Sequence, residues 1–323
     1  MSSPKCAYPP LPIADTTDGS PRKLGVEVVF NGLPESAASR AWARETSGSA
    51  QRDGSAWVCD TPKFGACRFY LDTKYRDDLD QMGNDAVYGA ARMVVPVELV
   101  SDPFDPRHLP AFDAALGALR KAGAEGTEAS VVHGFGVHLN VEIPRITGDH
   151  VARVACAFAL LEPLLRDEIG LDLSRRILPF VDPYPRALVS ALADRDGLEI
   201  EALAELVLEH TTSRNHGLDL LPIFAECAPR AVKQFVDPDT KITARPAYHY
   251  RLPESRIDRE GWGIAQDWRL WCMIEIVAGH DDVLSALKTG WRAWADGPHL
   301  TRESWVTSAR DILKAHDISS EGS

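Results

Sequence analysis

Four short apolar stretches each contain a side chain that binds ions. They carry Glu27, Glu98, His138 with Asn140, and His249 with Arg251. A lone carboxylate in an apolar strand is costly unless it is paired or bound to a metal. Carboxylates and imidazoles from separate strands, with arginines and no cysteine cluster, suit a hard divalent ion. Mg²⁺ or Mn²⁺ would bridge such acids to an anionic ligand such as a nucleotide phosphate. Arg214 and Arg251 would offset the charge on that phosphate or the charge developing in its transfer. The chain has no glycine-rich Walker loop and no GxGxxG, HExxH or GxSxG. A bound nucleotide is therefore expected on a sheet, through metal and arginine, and not at a helix N-terminus.

Each residue alone has a plainer reading. Glu98 in an apolar strand is more often salt-bridged than metal-bound, and a lone His138 is more often a satisfied core histidine. His133 reads as a strand-end residue, and His216, beside Asn215, as a turn cap. Tyr248 and Tyr250 read as core, and Asp60 and Asp72 as turn residues. Only the joint pattern outweighs these readings.

The elements that must position these groups are legible from their periodicity. In 137–143, Val137, Leu139, Val141 and Ile143 alternate with His138, Asn140 and Glu142, the period of a half-buried strand. Gly134 and Gly136 precede it and allow a close approach by backbone or ligand. Strands are expected at 24–30, 57–60, 66–72, 93–101, 127–133 and 247–252. Pro96 suggests an edge or a bulge. Residues 34–54 read as a short helix followed by a mobile loop. Helices are expected at 110–123, about 150–169 (capped by Asp149 and kinked at Pro163), about 186–194, 199–211, 262–278, 281–294 and 301–315. Residues 172–186 read as a proline-containing loop, and 213–219 as a polar turn. The interleaving of strands and helices reads as α+β with a largely antiparallel sheet.

The chain has 323 residues, 45% hydrophobic and 25% charged, an ordinary globular composition. One domain is expected over 24–316, its helical part at 260–316, between a flexible tail at 1–23 and a short one at 317–323. The net charge of −12 argues against nucleic-acid and anionic-membrane partners. The first residues form no apolar run, so neither a signal peptide nor a membrane span is expected there. Scattered single cysteines read as reduced core residues of a cytoplasmic protein, with a Cys59–Cys67 bridge the less favoured alternative. The C-terminal tryptophans, Trp262, Trp268, Trp271, Trp291, Trp294 and Trp305, read as core.

Several motifs match a known family. Gly25-Val26-Glu27-Val28-Val29-Phe30 resembles the G-x-E-x-E-F opening strand of the amidoligases, a divergent branch of the glutamine-synthetase-like carboxylate–amine ligases. Val97-Glu98-Leu99-Val100-Ser101 resembles the family's V-E-L-V-S strand, and Gly136-Val137-His138-Leu139-Asn140-Val141 its G-x-H-V-H/N-V strand. Arg214-Asn215 and Tyr250-Arg251-Leu252-Pro253 resemble its R-x-N and E-F-R segments. The matches follow the family's order across residues 24–258.

The resemblance implies a glutamine-synthetase-like fold, a curved and largely antiparallel sheet flanked by helices. It implies ATP-dependent chemistry in which a carboxylate becomes an acyl phosphate and an amine attacks it. The substrates would be small-molecule or peptide carboxylates and amines. Carried over by position, Glu27, Glu98 and His138 become metal and phosphate ligands, and Arg251 stabilises the transferring phosphoryl group. Arg214, Asn140 and Asn215 become nucleotide or substrate contacts, and His249 joins Arg251 and Arg214 among the catalytic candidates. Two positions depart from the family: Val29 replaces the second acid of the opening strand, and His249 replaces the acid two residues before the late arginine. Both acids are expected to serve metals, so the ion count or ligand set is expected to differ. A degenerate binding member without turnover and a metal-dependent hydrolase are the alternatives.

Overall fold

Strand β1 (Leu24–Phe30) buries Leu24, Val26, Val28 and Phe30 completely and leaves Glu27 and Val29 half-buried on its other face. The same division holds in β5 (Val97–Ser101) and β6 (Val137–Glu142). Their alternation is the sequence period expressed as geometry. The computed structural model describes residues 8–71, 95–127, 135–170, 181–298 and 301–319. The strand expected at 127–133 lies outside them apart from Thr127, as do His133, Gly134, Asp72, Cys6 and most of the loop at 172–186.

The remaining strands are β2 (Ser49–Asp53), β3 (Ala56–Thr61), β4 (Gly65–Leu71), β7 (Leu218–Asp219) and β8 (Ala247–Tyr250). Among the described residues the eight strands form one open antiparallel sheet in the order β2-β3-β4-β5-β1-β6-β8-β7. Ten α-helices among the described residues accompany it, so the chain is an α+β protein, as its pattern predicts. Contacts divide the chain into two compact units.

One unit comprises Lys23–Asn140 and Pro253–Ala265. Its helices are α1 (Glu35–Thr46) and α2 (Leu109–Ala122), which pack on each other, with α1 also against β3 and β4. Trp42 of α1 sits at the centre of their apolar layer. Its ring lies 5.9 Å from Phe64, 6.0 Å from Phe69 and 5.0 Å from Phe112, mostly in tilted or edge-on contacts that aromatic quadrupoles favour. Gly123 ends α2 at φ 109°, a left-handed cap that suits glycine. Cys59 and Cys67 face each other across β3 and β4 as free thiols.

The other unit comprises Met1–Arg22, Val141–Leu252 and Gln266–Ser323. Its central helix is α3 (Gly148–Ile169), which continues through Pro163. Around it lie α4 (Arg186–Ala193), α5 (Ile200–His210), α9 (Asp281–Ala295) and α10 (Glu303–Ala315). Helices α6 (Leu221–Cys227), α7 (Pro229–Phe235) and α8 (Ala265–Gly279) complete the unit. Trp268, Trp271, Trp291, Trp294 and Trp305 are core, as expected, while Trp262 in the first unit is only half-buried.

Four local expectations need correcting. Residues 49–53 are a strand, not a loop; β2 is exposed along nearly its whole length, so it carries no alternation to read. Pro96 marks no edge: β5 pairs with both β1 and β4, and the proline lies just before it, where no ladder donor is needed. Thr147 caps α3, its hydroxyl accepting the His150 N–H, and Asp149 lies in the first turn. Residues 8–22 are held, not loose. Arg22 is 1% exposed, and its guanidinium makes two hydrogen bonds of 2.8 and 2.7 Å to Glu275.

Candidate functional site

Antiparallel registers decide which side chains share a face. Glu98 stands opposite both Val29 on β1 and Tyr70 on β4, and Val100 stands opposite Glu27. Directly opposed residues point the same way. Glu27, Val29, Glu98, Val100, Tyr70 and Arg68 therefore share one face, with the sealed aromatic layer on the reverse.

On β6, the Val29 N–H donates to the Gly136 carbonyl at 3.1 Å, which brings Glu27 opposite His138. Glu27 Oε2 lies 2.7 Å from His138 Nδ1, and its Oε1 accepts from the Asn140 amide at 2.8 Å. One carboxylate is thus held at both oxygens by two residues of the next strand. The His138 and Glu27 side chains retain 17% and 19% of their surface, so the pair is sheltered yet reachable. Gly136 has a specific reason: a Cβ there would lie 3.1 Å from His138 Nε2, so the imidazole occupies the space a side chain would fill.

The donor set fits a divalent cation. Adjacent donors around an ion with bonds of about 2.1 Å stand roughly 3 Å apart, close to the separation of the Glu27 oxygen and the His138 nitrogen. A carboxylate with an imidazole suits Mn²⁺ and Zn²⁺, and Mg²⁺ where water and phosphate oxygens complete the shell. Glu98 is on the same face, one diagonal step along the register from Glu27.

The second cluster lies in the other unit. β7 pairs with β8 so that Asp219 faces His249. Asp219 Oδ2 lies 3.2 Å from His249 Nδ1 and accepts from Arg214 Nε at 3.0 Å, while Oδ1 accepts the Leu221 N–H at 3.0 Å. Asp219 is 2% exposed and His249 6%. Burial pushes the Asp219 carboxyl up, but the His249 hydrogen bond, the His249 and Arg214 charges and the Leu221 N–H outweigh it, and its pKa lies below the ordinary range. Arg214 also donates from Nη1 to the Lys241 carbonyl at 2.6 Å. Arg251 donates to the Arg214 carbonyl through Nη1, and its backbone N–H donates to Gly217 at 2.7 Å.

The candidates therefore fall into two sets. Glu27, His138, Asn140 and Glu98 share a face in one unit. Arg214, His249 and Arg251 gather around Asp219 in the other. Asn215 has an exposed side chain and is tied through its backbone, its carbonyl accepting the Asp182 N–H at 2.6 Å. Asp219 was missed. Its signal was the one that marked Glu98, an acid inside an apolar run, here Leu218-Asp219-Leu220-Leu221. The polar residues before it made the segment read as a turn.

No helix among the described residues is long and apolar enough to cross a membrane. No curated protein matches the chain. The family model described as "putative amidoligase enzyme" matches residues 20–273, which hold every side chain of both sets. The chain belongs to the amidoligase family, a family of ligases.

Proposed function

We propose that the protein is an ATP- and divalent-metal-dependent ligase that joins a carboxylate to an amine through an acyl phosphate. The observation that carries this reading is the Glu27 carboxylate, fixed at both oxygens by His138 and Asn140 on the half-open face that also bears Glu98. Glu27 and His138 would hold the ion, with Glu98 beside them. Bound Mg²⁺ or Mn²⁺ would neutralise phosphate charge and polarise the transferring group.

In this reading a substrate carboxylate oxygen attacks the γ-phosphorus of ATP, and the bond to ADP breaks. The amine nitrogen then attacks the acyl carbon and loses a proton, and phosphate leaves with the C–O bonding pair. Arg251 offsets charge on the phosphoryl group. Arg214, whose guanidinium is engaged by Asp219 and the Lys241 carbonyl, acts by holding that cluster. Asn140 fixes the Glu27 rotamer. The substrates are a small-molecule or peptide carboxylate and amine.

The test is ADP and phosphate release from ATP with pooled acids and amines, for the wild type and Glu98→Ala. Turnover that needs acid, amine and divalent ion together, and falls at least about a hundredfold in the variant, is the expected result. Nucleotide binding that gains nothing from a divalent ion would overturn it. Val29, in place of the second acid of the G-x-E-x-E-F motif that β1 resembles, favours a second reading, a ligand-binding member without turnover. Thermal stabilisation by ATP with no ADP formed under any substrate mixture would select that reading.

A further inference from the structure

Helix α5 ends at Thr211, whose side chain meets the His216 ring. Thr211 Oγ1 lies 2.8 Å from His216 Nε2, and His216 Nδ1 lies 3.0 Å from the Asp182 carbonyl. A carbonyl oxygen only accepts, so the ring proton sits on Nδ1 and the lone pair on Nε2. The Thr211 hydroxyl therefore donates to the imidazole. Its oxygen also accepts the Ser213 N–H at 3.2 Å, which fixes its rotamer. His216 is 5% exposed, and the Tyr184 ring meets it edge-on at 5.1 Å. A turn at this point needs only the Ser213 contact. It does not account for an imidazole whose tautomer is set from a separate segment.

A hydroxyl bonded to a base, with the base oriented by a third group, is the arrangement of an activated nucleophile. Thr211 and His216 line a pocket of about 240 Å³, whose apolar wall includes Val207, Leu208, Leu221 and Phe224. Its lining includes Asp219 but no lysine or arginine. A phosphate or carboxylate would meet no counter-charge in it, whereas a short neutral acyl group suits the apolar wall. We propose that Thr211 is the nucleophile and His216 the general base of a second, acyl-transferring site that takes short-chain neutral esters. The pair and the pocket lie within one compact unit, and the step calls for neither nucleotide nor metal ion.

Thr211 Oγ1 attacks the ester carbonyl carbon while His216 Nε2 takes the hydroxyl proton. The C–O bond to the alcohol breaks, and the alcohol oxygen leaves with the bonding pair and receives that proton. Water then attacks the acyl-threonine carbon and gives a proton to Nε2, and Thr211 Oγ1 leaves and regains it. The net change is ester plus water to acid plus alcohol.

The experiment incubates the full chain with p-nitrophenyl acetate, without nucleotide or added metal. Nitrophenolate release is followed, and acetylated residues are mapped by peptide mass spectrometry after an acid quench. The variants are Thr211→Val, Thr211→Ser and His216→Gln. The wild type is expected to carry acetyl on Thr211. Thr211→Val keeps the shape of the side chain but should lose that label and lower nitrophenolate release at least about tenfold. His216→Gln should slow acetylation of Thr211 by about 10²- to 10⁴-fold. Thr211→Ser should keep both the label and the release, an adduct that a merely structural hydroxyl would not form. A wild type without acetyl on Thr211, acetyl confined to lysines, or acetylation of Thr211 at an equal rate in His216→Gln overturns the inference. The wild-type map decides the matter even where a variant fails to fold. Each of these results leaves the ligase reading standing, because that reading is tested by ATP turnover.

Discussion

Glu27 faces His138 across adjacent antiparallel strands, with Oε2 2.7 Å from Nδ1, and Asn140, two residues along, holds the other oxygen. Replacing one carboxylate oxygen by an amide should break the pair proposed to hold the cation while leaving the buried side of β1 untouched. Glu27→Gln is expected to abolish thermal stabilisation by Mn²⁺ or Mg²⁺ and to lower divalent affinity at least about tenfold, with stability in metal-free buffer within about 1 kcal/mol of wild type. Calorimetry and thermal denaturation check the two halves separately.

Gly136 provides a finer probe. Adding one methyl group at this position would press on His138 Nε2 from 3.1 Å. Gly136→Ala should therefore cost little stability, since alanine loses less backbone entropy than glycine, yet displace the imidazole. An affinity for divalent ion reduced about tenfold at nearly unchanged Tm is the expected outcome. Unchanged affinity would mean that the ring is free to move without consequence.

Arg22 and Glu275 form a buried pair, with side chains 0% and 3% exposed, and Trp271 Nε1 donates to the same carboxylate at 2.9 Å. Glu275→Gln leaves a guanidinium buried without its counter-charge and should destabilise the protein by about 3–5 kcal/mol. Replacing both partners, as Arg22→Met with Glu275→Leu, should recover most of that loss. Urea denaturation of the single and double variants measures both.

His150, in the first turn of α3, has its pKa lowered to about 4 from 6.5. Burial comes first among the causes, followed by the charges of Arg22 and Arg145; Arg153 acts in the same direction and Asp149 opposes them. The Tyr248 ring is 6.5 Å away, and burial raises its own pKa well above 10. The unfolded chain binds this proton below about 6.5 and the folded chain only near 4, so the unfolded state carries more protons between those values. Stability from this residue is complete above pH 6.5 and is lost as pH falls towards 4, by an amount on the order of 2–3 kcal/mol. His150→Gln should flatten the stability curve across that window, as measured by chemical denaturation at several pH values.

Legibility followed local periodicity. β1 and β6 could be read because one face is sealed and the other is not, so the period of two survives in residue types, and the ligand-type side chains stood out on the open side. β2 is solvated along most of its length and gave no pattern. Asp219 belongs to a strand of two residues, too short for any period, and its partner His249 lies thirty positions away. Arg22 looked like one charge among prolines and threonines. Its burial depends on Glu275, 253 residues later, a pairing that no local window reveals.

The division of β1, β5 and β6 into a sealed face and an open one assigns opposite duties to neighbouring positions. Even-numbered residues of β1 are sealed in the core, while Glu27 and Val29 between them lie on the half-open face that the proposed reaction would use. A saturation mutagenesis scan along these strands should therefore show two interleaved phenotypes, loss of expression at one position and loss of turnover at the next. Side chains on the open face of such strands can be exchanged singly without disturbing the sealed layer beneath them.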